Sequence, residues 1–314
     1  MNSANHQLHT VMYHYVRDLP RTRFPRIKGM LLDEFRAQVA ALNSRYEMAT
    51  LESALAFLHG DYQPKRDLCL LTFDDGLKEH FAEVTPILAA RKIEGLFFVI
   101  TSALEEHRVA AVHMNHFLMA ALDFSEYQQA FLHRLRDKAP DAPRIEDLNA
   151  EQVSHTYRWD EPAVAAFKFL FNFKLDAALR DEIVREIFVE RLGDEAQFAR
   201  ELYLNWDEAR QIQDAGMLIG GHSHRHQALA TMTDDAQMDD LRRCHQLMQQ
   251  NLNVQKWWPF TYPYGKRHTF NQATVRGLQR LGFACSFATE VGATATGDDV
   301  FAIRRIDCKD VKPR

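Results

Sequence analysis

Cysteine is scarce in this chain and unorganised: Cys69, Cys244, Cys285 and Cys308 are scattered with no C-x-x-C spacing. That excludes a disulfide framework and a cysteine-rich metal knuckle. Cys69 and Cys285 sit inside strand-like apolar runs and read as buried, reduced thiols. Long hydrophobic runs are lacking too. No stretch approaches the ~18 apolar residues needed to span a bilayer, and Met1 to Thr10 is polar, with no apolar secretory core. The expectation is a cytoplasmic protein without a transmembrane segment. No charge of one sign dominates: 38 basic against 43 acidic residues give a net charge of −5, which offers no basic patch for nucleic acid or an anionic membrane. Repeats, low-complexity tracts and linkers are also missing. What remains, 46% hydrophobic and 26% charged residues, is the composition of an ordinary globular protein. At 314 residues the chain could hold two average domains, yet a single barrel often runs to roughly 200–250 residues.

Three stretches carry the chemistry. Leu68-Cys69-Leu70-Leu71-Thr72-Phe73 runs into Asp74-Asp75-Gly76. The apolar run has the length of a strand buried on both faces, and Gly76 allows a sharp turn that leaves two carboxylates at the strand's C-terminal end. In α/β folds that end is where chemistry is done. Adjacent carboxylates repel, so they suit a place where a cation or a shared proton relieves them; a plain Asp-Asp-Gly turn is the competing reading. The second stretch, Met217-Leu218-Ile219 followed by Gly220-Gly221-His222-Ser223-His224-Arg225-His226, decides for a site. His222 and His226, at i and i+4, share one face if a helix starts there, while His224 joins them only if the segment is extended. A solvated histidine-rich loop is the alternative. The third stretch, Phe260-Thr261-Tyr262-Pro263-Tyr264-Gly265, is an aromatic-rich strand ending in a turn.

Together the three resemble the polysaccharide deacetylase family, also called the NodB-homology or carbohydrate esterase 4 family. Its first motif, TFDDG, corresponds to Thr72 to Gly76, its second to His222-Ser223-His224-Arg225-His226, and its third to Pro263-Tyr264-Gly265. The resemblance implies a distorted (β/α)7-type barrel and a metal-dependent N-deacetylase. Asp75, His222 and His226 would be its metal ligands, Asp74 the general base, and the backbone N–H of Tyr264 a donor to the oxyanion. Two imidazoles and one carboxylate with an open position is the arrangement catalytic zinc uses; cobalt and nickel are the alternatives.

The chain in order supports alternating strands and helices. Val11 to Val16 reads as a first strand with His14 near its end. By base rate a lone histidine there is packing, but Tyr13-His14 resembles the start of a circularly permuted branch of the family. No late Leu-x-His motif follows Gly265, so His14 is the candidate acid for the leaving amine. Leu31 to Ser44 and Leu51 to Leu58 have helical spacing, the second closed by Gly60. Thr85-Pro86 reads as an N-cap and first helical position opening Ile87 to Lys92, with Leu96 to Ile100 a further buried strand. From about 105 to 201 the rhythm breaks into charged amphipathic stretches, read as a helical insertion in one barrel domain spanning 1–314. Phe167, Phe169, Phe171 and Phe173 alternate as a strand would, yet Phe167 and Phe171 are also i and i+4; the flanks favour a helix, with an aromatic core face rather than a cleft lining. His113 and His116 read as incidental. Later come a helix over Asp207 to Ala215, strand Met217 to Ile219, helix Asp234 to Gln250 with Leu241 and Met248 inward, and strand Phe260 to Tyr262. Helix Asn271 to Leu281 and strands Phe283 to Phe287 and Phe301 to Ile306 complete it.

One departure from the family stands out: Thr261 occupies the position where many members carry the arginine that orients the base. Arg305, in Ala302-Ile303-Arg304-Arg305-Ile306, is the candidate substitute, against a surface or structural ion pair. The substrate class implied is an N-acetylated sugar, nucleotide-linked sugar or lipid-linked glycan in surface-polysaccharide or glycolipid assembly. A sugar deformylase or other amidase of the same fold, and a carbohydrate-binding barrel without catalysis, are the competing readings.

Overall fold

The computed structural model describes residues 6–311, so the first five residues of the polar N-terminal stretch lie outside the described residues. The strands of the main sheet are Leu8–Tyr13 (β1), Glu47–Met48 (β2), Leu68–Phe73 (β3), Gly95–Val99 (β4), Leu218–Gly221 (β5), Pro259–Thr261 (β6), Cys285–Phe287 (β7) and Ile306–Asp307 (β8). All six residues of β3 and all five of β4 are buried, as expected of strands covered on both faces. The order is β8-β1-β3-β4-β5-β6-β7, with β2 paired beside the start of β3, and every ladder is parallel. Ile303 bridges Phe287 of β7 while Ile306 pairs with Val11 of β1, so the short segment 303–307 meets both edges of the curled sheet. This is the distorted (β/α) barrel expected. Because all strands run one way, their C-terminal ends, and the loops carrying His14, Asp74, His222 and Pro263, share one side.

On one side of the sheet Leu68, Leu70, Leu96, Phe98 and Phe287 pack with Leu51, Leu55 and Leu58 of helix Leu51–His59. On the other, Tyr13, Phe73 and Phe97 stack with centroids 5.0 and 4.7 Å apart. All four cysteines are free and buried. Helices Leu32–Arg45, Trp206–Asp214, Asp234–Asn251 and Gln272–Arg280 lie within a residue or two of the ranges read from sequence, and Leu241 and Met248 are both fully buried.

Two expectations are corrected. Thr85 is not an N-cap: its φ of −55° and ψ of −46° are helical, and its hydroxyl donates to the His80 carbonyl at 2.7 Å. A π-helical turn, His80–Val84, runs straight into helix Thr85–Ala89. Pro86 has no N–H to give the turn behind it, and its ring crowds the carbonyl four residues back, so the ladder widens there. The last strand is also shorter than Phe301 to Ile306, its regular pairing confined to Ile306–Asp307 with a single bridge at Ile303.

By its internal contacts the chain divides into two compact units, one of residues 1–19, 28–108 and 199–314, the other of 20–27 and 109–198. The second unit is helical, including Ala111–Ala121, Phe124–Lys138, Ala150–Thr156, Pro162–Phe173 and Ala177–Leu192. Arg26 ties its outlying segment in by donating to the Ala120 and Leu122 carbonyls at 2.8 and 3.0 Å. The phenylalanine run is helical and is core: Phe167 and Phe171 pack on Phe131, while Phe169 and Phe173 join a cluster with Val153 on another face. A helix buried on two faces therefore produced a pattern that imitates a strand.

Candidate active site

The carboxylate pair leaves β3 through a strained turn. Asp75 adopts φ +81° and Gly76 φ +65°. A Cβ on Gly76 would come within 3.1 Å of the Val99 side chain, so glycine serves both the conformation and the close approach. The left-handed turn divides the two side chains between different partners. Asp74 Oδ1 accepts from Arg305 Nη1 at 2.8 Å, and its Oδ2 lies 3.8 Å from His14 Nε2. Asp75 Oδ1 faces His222 Nε2 and His226 Nε2 at 3.4 and 3.6 Å.

The histidine stretch is not the start of a helix. Beyond β5 it is irregular, with Ser223 at φ +62° and His226 at φ +54°. The glycine-led turn is held from three directions instead. Thr101 and Ser102 donate backbone N–H groups to the carbonyls of Ser223 and His224. The Ser223 hydroxyl accepts the His226 N–H at 2.9 Å. Buried Asp240 accepts the N–H groups of His224 and Arg225 at 2.8 and 3.0 Å. The result brings His222 and His226 together, their Nε2 atoms 3.2 Å apart. His224 turns away, to Thr101 Oγ1 at 3.0 Å and Glu106 Oε1 at 3.1 Å.

The donor set fits a cation. Asp75, His222 and His226 are all buried, and their ligand atoms lie within 4.8 Å of one another. A tetrahedral ion with bonds of about 2.0–2.1 Å separates its ligands by roughly 3.3–3.4 Å, close to the 3.2, 3.4 and 3.6 Å found here. The His222 Nδ1 lies 2.9 Å from the Thr261 carbonyl. A ring nitrogen beside a carbonyl carries the proton, which turns the Nε2 lone pair toward Asp75 and His226. The site also favours positive charge. Burial alone would push the His222 pKa down, yet the hydrogen bond to Asp75 and the field of Asp74 raise it.

Asp74 is fully buried, which by itself would raise its pKa; Arg305, then His222 and His14, outweigh burial and hold the carboxyl below its usual range. Arg305 is a buried residue, with Nε on the Ala288 carbonyl at 3.0 Å and Nη1 also 3.3 Å from Thr72 Oγ1. Tyr264 sits at φ +62°, its ring 5.2 Å from that of His226. A Cβ on Gly265 would lie 2.8 Å from the Thr289 backbone nitrogen, which fixes glycine after Tyr264. His14, just past β1, has a side chain 40% exposed. Sequence reasoning had no signal for Asp240, for the Thr261 carbonyl, or for His80, whose ring reaches the His14 carbonyl. Their roles are backbone contacts with no spacing rule.

Comparison with known proteins follows the same lines. A family model described as polysaccharide deacetylase matches residues 61–286, a stretch that holds Asp74, Asp75, His222, His226 and Tyr264 and leaves His14 and Arg305 outside. No curated protein matches the sequence. Among solved structures, a Streptococcus pyogenes deacetylase, PplD, in complex with acetate is 14% identical with a TM-score of 0.59, covering 99% of this chain and 96% of that one. IcaB from Ammonifex degensii is 17% identical with a TM-score of 0.57, covering 96% and 91%. The BpsB deacetylase domain from Bordetella bronchiseptica is 15% identical with a TM-score of 0.56, covering 98% and 97%. At these identities the likeness is one of fold.

Proposed function

This chain belongs to the polysaccharide deacetylase family, and from that premise we propose that it is a metal-dependent N-deacetylase that removes the acetyl group of an amino sugar. As a member of the family it is a hydrolase of carbon–nitrogen bonds other than peptide bonds. The observation that carries the finer reading is the split of two adjacent carboxylates, Asp75 converging with His222 and His226 while Asp74 is paired with a buried arginine. A binding module has no use for that division.

Asp75, His222 and His226 would hold a divalent cation, zinc first, with cobalt or nickel as alternatives. Bound there, the cation supplies Lewis acidity for the acyl oxygen and brings the pKa of a water toward ~7. Asp74, kept ionised, accepts the proton of the attacking water. Arg305 engages its Oδ1, which leaves Oδ2 for that proton. The backbone N–H of Tyr264 donates to the oxyanion oxygen. The amine departs poorly as an anion, so a proton is supplied to nitrogen by His14, whose Nε2 lies on the Oδ2 side of Asp74. Residues 1–314 are read as one catalytic domain carrying a helical insertion. The reading extends to cytoplasmic assembly of a surface polysaccharide or glycolipid, a compartment with which four buried free thiols are compatible.

The test is metal analysis of the purified protein combined with amine release from a panel of N-acetylated sugars, nucleotide-linked, lipid-linked and oligomeric. Release dependent on about one metal per chain is expected. Metal-independent release, or release of formate from a matching N-formylated panel with no acetate from the N-acetylated one, would overturn the reading.

A further inference from the structure

His80 is a buried titratable group that the proposed chemistry does not use. It opens the π-helical turn His80–Val84, and its ring packs against the stacked pair Phe73 and Phe97, with centroids 5.7 Å from each. Core packing alone would be served by an apolar ring. Both of its nitrogens are engaged instead. The Leu77 backbone N–H donates to Nδ1 at 3.3 Å, and Nε2 lies 2.9 Å from the His14 carbonyl oxygen. These two contacts agree on one tautomer: Nδ1 accepts, so Nε2 carries the proton and donates to His14. The neighbouring residue repeats the pattern, since Glu79 accepts from Arg17 Nε at 2.8 Å. His80 and Glu79, the residue just before the π turn, thus both reach onto segment 14–17, while His80 also grips the turn that follows Asp74-Asp75-Gly76. Single π turns of this kind are frequent at functional sites.

We infer that His80 is a positioning residue for His14: its ring ties the backbone of the proton donor to the turn carrying Asp74 and Asp75, and so fixes His14 Nε2 against the reacting centre. The inference rests on the reading of His14 as the acid. His80 itself touches neither substrate nor metal ligand in this arrangement; it acts through the His14 carbonyl.

Three substitutions separate tethering from packing. His80→Phe keeps an aromatic ring and removes both hydrogen bonds. His80→Asn keeps an acceptor for Leu77 but is too short for the His14 carbonyl. His80→Gln places an amide donor near the position of Nε2. Each is made in the native chain and in a His14→Ala background. Turnover is measured on the N-acetylated sugar that the amine-release panel identifies and on 4-nitrophenyl acetate, whose leaving group needs no proton; metal content is measured throughout. The Phe and Asn variants should lose about 10–10²-fold on the amide, the scale of misplacing a catalytic group. They should keep the aryl ester activity and the metal, with Gln recovering most of the loss. In the His14→Ala background none should lower amide turnover by more than about twofold. Equal losses on both substrates, or a full loss added to that of His14→Ala, would overturn the inference, and His80→Asn decides it should His80→Phe fail to fold. The reading of His14 fails separately, and takes this inference with it, if His14→Ala alone lowers amide and ester turnover equally.

Discussion

Two adjacent carboxylates meet different partners here because the backbone turns between them, and Asp75 at φ +81° is that turn. The division makes opposite predictions for two conservative changes. Asp74→Asn should retain the metal and lose about 10²–10⁴-fold in turnover, because an amide cannot take the proton. Asp75→Asn should weaken the metal instead, by at least the roughly 10–100-fold seen when a ligand's supporting partner is lost. Metal dissociation constants and turnover for both variants decide; equal metal loss in both would sink the division. Arg305 allows a second test at the same scale. It is buried and bonded to Asp74, and breaking a buried pair by removing one partner costs about 3–5 kcal/mol. Arg305→Met should therefore lower both stability in urea and turnover, whereas a surface pair would be worth about 0–1 kcal/mol.

At the scale of the element, the histidine loop and the π turn are each held by backbone contacts. His224 directs its ring to Thr101 and Glu106 while its backbone is clamped by Asp240. His224→Ala should accordingly leave metal occupancy nearly unchanged. A large loss on direct metal titration would place that ring in the ligand set. The π turn gives a prediction in pH. Burial, above all, drives the His80 pKa down to about 4, against an unfolded value of about 6.5. Between those values the unfolded chain binds the extra proton and the native one refuses it. Stability contributed by neutral His80 is thus fully present above pH ~6.5 and is lost as pH falls toward 4, by about 3 kcal/mol in all. His80→Gln should flatten the fall in melting temperature between pH 7 and 4.5 relative to the native chain. Parallel curves for the two proteins would contradict it.

At the scale of the molecule, the barrel's support is apolar, from the Leu68–Leu70–Leu96–Phe98 layer to the Tyr13–Phe73–Phe97 stack. A metal held by Asp75, His222 and His226 is therefore not needed to fold the chain. Removing it with a chelator should abolish amine release while the far-ultraviolet circular dichroism stays unchanged and the unfolding free energy drops only by the linkage term, about 2.7 kcal/mol at a hundredfold excess over Kd. Among the described residues no helix is long and apolar enough to cross a membrane.

Sequence alone determined the parallel α/β plan, because strands buried on both faces read as unbroken apolar runs and the stretches between them have helical spacing. It determined also which side chains are chemically able to act, through three motifs that each fall at a strand end. Tertiary structure decided how they are used. The i, i+4 spacing of His222 and His226 suggested a helix, but Ser223 and His226 in left-handed backbone and the Asp240 clamp build an irregular turn instead. Arg305 reaches Asp74 across 231 residues because β8 pairs with β1 and β1 with β3. His80 meets His14 across 66 residues for the same reason. Such contacts depend on which strands become neighbours and on where a helix widens around a proline. Neither is a local property of the residues concerned, and so neither is written in their spacing.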